Sequence, residues 1–221
     1  MIISLIGFMG CGKSSVGRRL SELLCCPFID LDEAVVEAVG KSIPEIFATD
    51  GEAGFRNLEL KVLDNIVCKE SARQWASPIS STKETSKSDL QTLYGTAASE
   101  RMGVLALGGG TVMTPQCAEL VKDKTLCIYL RASVNTLMER LVSKTESRPL
   151  LCQNISSSMP AEEAEEARRN HEAEQPDLLL RNCIEALLAE RSATYENTAS
   201  IIIDTDGKSI SAIANEILAN C

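Results

Sequence analysis

Apolar residues recur along this chain with two periods, and the two alternate. Ile2-Ile3-Ser4-Leu5-Ile6, Val104-Leu105-Ala106-Leu107, Leu126-Cys127-Ile128-Tyr129-Leu130 and Ser200-Ile201-Ile202-Ile203-Asp204 are nearly continuous runs, and they predict strands buried on both faces. Cys26-Pro27-Phe28-Ile29-Asp30-Leu31-Asp32 reads as a shorter strand ending in two acids. Between these runs the spacing becomes helical. Val16, Leu20, Leu23 and Leu24 mark one helix, and residues 34–39 a second. Leu58, Val62, Leu63 and Ile66 mark a third, after a turn at Asp50-Gly51-Glu52. Residues 115–122, then Val134, Leu137, Met138 and Leu141, then residues 210–218 continue the series. A long helical region, acidic over residues 161–174, is interrupted at Pro176 and continues to Arg191.

Strand–helix alternation predicts an α/β three-layer sandwich, a five-stranded parallel sheet with helices on both faces. The pattern dissolves twice, over about residues 74–99 and again over residues 143–160. Both segments are polar and irregular at the start, and neither is a linker, so residues 1–221 are expected to form a single domain.

Composition narrows the class. Aromatics are scarce, with one Trp, three Tyr and four Phe, which suits an aliphatic α/β core. A formal net charge of −9 argues against nucleic acid or an anionic membrane as partner. Nine cysteines come with one histidine (His171) and no C-x-x-C pair, so they read as small hydrophobes in a reducing compartment. No signal peptide is expected ahead of the first strand and no apolar run is long enough to span a bilayer. The expectation is a cytoplasmic monomer.

The chemistry starts at residues 7–14, Gly7-Phe8-Met9-Gly10-Cys11-Gly12-Lys13-Ser14, a G-x-x-x-x-G-K-S motif between a strand and a helix. Glycines let backbone N–H groups surround phosphate oxygens, and the helix N-terminus adds partial positive charge. Lys13 supplies a full charge to the outer phosphates, and the Ser14 hydroxyl suits a Mg²⁺ ion. Two more motifs follow strands at once: Asp30 and Asp32, expected to face one way as strand positions i and i+2, and Gly108-Gly109-Gly110. In an open parallel sheet these strand ends share one edge, where ligands bind. A phosphate cradle, carboxylates for a metal and for a hydroxyl, and nearby cations make up the parts of phosphoryl transfer.

With Phe28-Ile29-Asp30-Leu31-Asp32, Gly51-Glu52 before Phe55-Arg56, Leu107-Gly108-Gly109-Gly110, Ser147-Arg148-Pro149-Leu150-Leu151 and Arg191 four residues before Tyr195, the chain resembles the shikimate kinases. These are P-loop NTPases of the nucleoside-monophosphate-kinase-like group, with a helical lid. The resemblance implies ATP-dependent phosphorylation of the 3-hydroxyl of shikimate, with Mg²⁺. It implies that Gly10, Cys11, Gly12, Lys13, Ser14 and Ser15 bind nucleotide, with Arg140 near adenine and Arg148 reaching the phosphates from the lid. Ser14 and Asp30 would hold the metal. Asp32, Arg56, Gly108, Gly109, Gly110 and Arg191 would bind shikimate, with Lys13, Asp32 and Arg148 catalytic. The segment around 144–175 is then a lid longer than the family's compact one, and 74–99 is an insertion.

Two other readings compete. A related small-molecule kinase, such as a gluconate kinase, would also accept a hydroxylated carboxylate. A non-catalytic nucleotide-binding regulatory module would use the insertions for partners, although such a module has no need for every charged part of the site.

Overall fold

The structure is a computed structural model, and it describes residues 1–68, 102–142 and 176–221. The insertion at 74–99, the lid at 144–175 with Arg148, and His171 lie outside the described residues. The described chain runs β1 (Ile2–Ile6), α1 (Lys13–Leu24), β2 (Phe28–Asp30), α2 (Leu31–Val39), α3 (Ile43–Cys68), β3 (Gly103–Ala106), α4 (Pro115–Lys124), β4 (Leu126–Arg131), α5 (Val134–Val142), α6 (Pro176–Thr198), β5 (Ile201–Asp204) and α7 (Ile210–Asn220). A 3-10 turn, Thr111–Met113, sits between the glycine triplet and α4.

The strands form one parallel sheet in the order β2-β3-β1-β4-β5. The strands' apolar runs sort by the period of two. Leu5, Val104, Ile128 and Leu130 enter one core with Val16 and Leu20 of α1 and Ile213 and Ile217 of α7. Their neighbours Ile6, Leu105, Cys127 and Tyr129 enter the other core, with Leu63 of α3, Val121 of α4 and Tyr195 of α6. Two faces, two cores and three layers follow, as the continuous apolar runs predict. Ser4 is the polar exception in β1. It is fully buried, and its hydroxyl is satisfied by the Thr125 hydroxyl at 2.6 Å.

Element ends depart from the expected pattern in one place that bears on function. β2 stops at Asp30 rather than at Asp32, and the next helix begins at Leu31. Asp30 is that helix's N-cap, its carboxylate accepting the Asp32 backbone N–H at 3.1 Å. Asp32 therefore lies in the first turn of α2, and the two acids are not alternate residues of one strand. The cap bond outcompetes one more step of β pairing. The Asp50-Gly51-Glu52 turn survives as a break inside α3, where Gly51 has φ 68° and ψ −175°. Helix α6 passes Arg191 and carries Tyr195 into the core.

Among the described residues no helix is long and apolar enough to cross a membrane. All eight cysteines there are free thiols.

Candidate active site

The ends of β2, β3 and β1 lie side by side, and the loops that leave them make the site. After β1 the chain turns through residues 7–12 with φ of 82° at Gly10 and 104° at Gly12, a left-handed geometry that side chains resist. A Cβ at Gly7 would stand 2.6 Å from the Leu130 carbonyl oxygen, so this turn is also pressed onto β4. Cys11 is buried, and its backbone N–H donates to the Phe8 carbonyl at 3.2 Å. Helix α1 begins at Lys13 with no side-chain cap. Its first N–H groups are open to an anion.

Lys13 Nζ donates to the carbonyls of Gly7 at 2.8 Å and Phe8 at 3.0 Å. The ammonium is thereby folded over the loop that would receive phosphate. One residue on, the Ser14 hydroxyl donates to Asp30 Oδ2 at 2.7 Å. Two hard oxygen donors thus meet beside Lys13, which suits a small cation that keeps most of its shell for water and phosphate oxygens. Ser15 is exposed in the same helical turn.

At the end of β3 the glycine triplet lies close to several polar groups. A Cβ at Gly108 would meet Asp32 Oδ1 at 2.9 Å, Glu59 Oε1 at 3.0 Å and Thr111 Oγ1 at 3.0 Å. One at Gly110 would meet Arg56 Nη2 at 2.5 Å, and one at Gly109 the Met9 backbone nitrogen at 3.3 Å. A side chain at Gly108 would press on Asp32, Glu59 and Thr111, and one at Gly110 on Arg56. Arg56 is held from its own helix, by Glu59 Oε2 at 2.7 Å and Glu52 Oε1 at 3.4 Å. Glu59 is fully buried, and its other oxygen accepts the Thr111 hydroxyl.

This environment shifts two groups. Asp32 is raised from 3.8 to about 6, first by burial, then by the charges of Asp30 and Glu59, with Lys13 and Arg56 opposing. Burial works against the Arg56 charge, but Glu59 and then Glu52 outweigh it and hold its pKa above the ordinary value. Arg191 lies on α6 one turn before Tyr195, whose hydroxyl donates to the Gly109 carbonyl. Arg140 reaches from α5 to the Cys11 carbonyl at 2.9 Å and the Thr205 carbonyl at 3.2 Å, tying the phosphate loop to the turn after β5.

The structure therefore brings together Lys13, Ser14, Asp30, Asp32, Arg56 and the triplet, with Arg191 and Arg140 at its borders. Sequence reasoning gave no role to Glu59, Thr111 or Tyr195. Their signals were faint: Glu59 falls three residues after Arg56 on a helix, Thr111 directly follows the triplet, and Tyr195 falls four residues after Arg191.

A parallel sheet carrying such a loop at the end of its central strand defines a nucleotide-binding protein of the P-loop class. Family comparison narrows this. The shikimate kinase family model matches residues 9–72 and 86–221. The chain is 40% identical over 149 residues to a shikimate kinase of Zymomonas mobilis, covering 67% of this chain and 66% of that protein. It is 32% identical over 217 residues to a shikimate kinase of Enterococcus faecalis, covering 98% of this chain and 95% of that one. Among solved structures, the shikimate kinase from Acinetobacter baumannii in complex with shikimate superposes with a TM-score of 0.65 at 28% identity, covering 99% of this chain and 91% of that chain. The chain belongs to the shikimate kinase family.

Proposed function

We infer that this chain transfers the γ-phosphoryl group of ATP to the 3-hydroxyl of shikimate, releasing ADP and shikimate 3-phosphate. The observation that carries this reading is the contact between the two halves of the site. Gly109 lies against the backbone of Met9, so a ring resting on the triplet sits beside the phosphate loop. Family membership and a relative solved with shikimate bound support the choice of acceptor.

In this reading Lys13 leaves the Gly7 and Phe8 carbonyls for the ATP phosphates, exchanging neutral acceptors for charged ones. The loop residues Gly10, Cys11 and Gly12, with Ser14 and Ser15 at the start of α1, receive the same phosphates. Ser14 and Asp30 would hold Mg²⁺, which when bound neutralises charge on the phosphate oxygens. Arg56 and Arg191 take the shikimate carboxylate, while the bare backbone of Gly108, Gly109 and Gly110 admits the ring. Asp32 orients the attacking hydroxyl and accepts its proton, a role that suits a carboxylate raised to about 6. Arg148 closes over the phosphates from the lid and helps exclude water. Arg140 borders the adenine.

Residues 1–221 serve as a single catalytic unit. We place it in the cytoplasm as a monomer without a membrane or nucleic-acid partner, in keeping with its free thiols and net charge of −9. The test is product analysis by ³¹P NMR with the purified chain, Mg-ATP and shikimate. A phosphomonoester coupled to the proton at carbon 3, appearing in step with ADP, is expected. Inorganic phosphate alone, or no consumption of ATP, would overturn the reading.

A further inference from the structure

Strands β1 and β5 are not neighbours, since β4 lies between them in the sheet. No ladder bond therefore sets the distance between the loop that leaves β1 and the turn that leaves β5. Arg140, in the last turn of α5, spans that gap. Its half-buried guanidinium donates through one Nη to the Cys11 carbonyl at 2.9 Å and through the other to the Thr205 carbonyl at 3.2 Å. The Thr205 end is itself anchored, its backbone N–H donating to the Arg131 carbonyl of β4 at 2.8 Å. A planar fork with its donors in fixed geometry sets both separation and angle, which the single ammonium of a lysine cannot do.

The next residue of α5 presses on the same loop. Leu141 is buried, and a Cβ at Gly10 would meet its Cδ2 at 3.1 Å. Two other carbonyls of the loop, those of Gly7 and Phe8, accept from Lys13, which in the functional reading leaves them for phosphate. The Cys11 carbonyl is held by Arg140 instead. We propose that Arg140 is a positioning residue for the phosphate loop: its bridge from Cys11 to Thr205 holds the phosphate seat in its receptive shape before any base is bound. This role goes beyond bordering the adenine, and it rests on the reading that the loop receives ATP phosphates. A seat already in place spares the ligand the cost of ordering it.

The experiment compares a nucleotide with a ligand that has no base. Binding of Mg-ATP and of Mg-tripolyphosphate to the purified chain is measured by calorimetry for wild type, Arg140→Ala and Arg140→Lys. Both variants should lose about tenfold or more for tripolyphosphate, the scale of one hydrogen bond from a charged donor, and a similar factor for ATP. The KM for shikimate at saturating ATP should stay within about twofold of wild type. Amide exchange at Gly10 and Gly12 should quicken while the β1 and β4 amides stay protected. Arg140→Lys keeps the charge and most of the stem, so it carries the test if Arg140→Ala does not fold. Unchanged tripolyphosphate binding beside weakened ATP binding would reduce Arg140 to an adenine contact and overturn the proposal. So would wild-type affinities in Arg140→Lys, failure of both variants to fold, or a wild-type chain that binds ATP but not tripolyphosphate. A wild-type chain that binds neither ligand would instead overturn the nucleotide reading itself.

Discussion

Arg56 and Glu59, one helical turn apart on α3, are joined at 2.7 Å, and the glutamate is fully buried while the arginine still reaches the site. A buried carboxylate is costly unless its partners are complete. Glu59 has both, Arg56 on one oxygen and Thr111 on the other. In the proposed reading, the pair lets a chain with a net charge of −9 present a fixed cation to the acceptor carboxylate. Arg56 cannot relax toward solvent without stranding Glu59.

Glu59→Gln should therefore harm binding and stability together. The amide keeps the shape but loses the charge that holds Arg56. We expect a loss of about 1–3 kcal/mol in urea unfolding and a rise of about tenfold or more in the KM for shikimate, with the KM for ATP little changed. Unchanged shikimate kinetics would mean that Glu59 does not position Arg56.

Gly110→Ala isolates the geometry of the same clamp. Gly110 has φ −108° and ψ −2°, which alanine tolerates, so backbone strain does not enter. The added Cβ would sit 2.5 Å from Arg56 Nη2 and push the guanidinium aside. Shikimate use should fall about tenfold or more in kcat/KM, while the melting temperature moves by only a few degrees. Equal loss of ATP and shikimate affinity would contradict the assignment of this glycine to the acceptor side.

Asp32→Asn should trade activity for stability, in a direction fixed by its pKa. The folded carboxyl sits at about 6 against 3.8 ordinarily, so the folded protein binds this proton more tightly than the unfolded chain. Its contribution to stability is present below about pH 4 and is lost as pH rises through about 6. Asparagine carries no such loss. At pH 8 the variant should be more stable than wild type by on the order of 2–3 kcal/mol, with the gap closing toward pH 4. Turnover should drop by about a hundredfold or more, the scale of lost general-base assistance. A stability gap independent of pH would disprove the raised pKa, and near-normal turnover would remove Asp32 from the mechanism.

Ser14→Ala tests the metal pair. The hydroxyl is 2.7 Å from Asp30 Oδ2, and removing it leaves one protein ligand where two are proposed. The Mg²⁺ concentration giving half-maximal rate should rise about tenfold or more, on the scale of losing a ligand contact of 1.4 kcal/mol or more. A magnesium dependence identical to wild type would count against Ser14 as ligand.

Much of the fold was legible because parallel strands buried on both faces must be almost wholly apolar, and those runs stand out between helical spacings. The phosphate loop was legible for a related reason: its glycines answer a backbone requirement that no other residue meets. The Asp30–Asp32 relation was misread. Period-two logic treated both as strand residues, whereas the Asp30 side chain caps a helix that starts one residue later. Nothing in apolar periodicity reports such a local side-chain bond. Glu59 and Thr111 are not singled out in the sequence, and Tyr195 enters only as a marker of the resemblance, because their contacts cross the sheet edge, between residues as far apart as Gly109 and Tyr195. A charged residue on a helix reads as solvated until its partners are seen.

Acceptor choice is the central claim, since the phosphate loop alone would serve any P-loop kinase. It is tested most directly by ADP release from Mg-ATP with the purified chain, offered shikimate or gluconate at equal concentration. The site built from Asp32, Arg56, Arg191 and the triplet predicts rapid, saturable release with shikimate and only background hydrolysis with gluconate. Release with gluconate at a comparable rate, or none with shikimate, would contradict it.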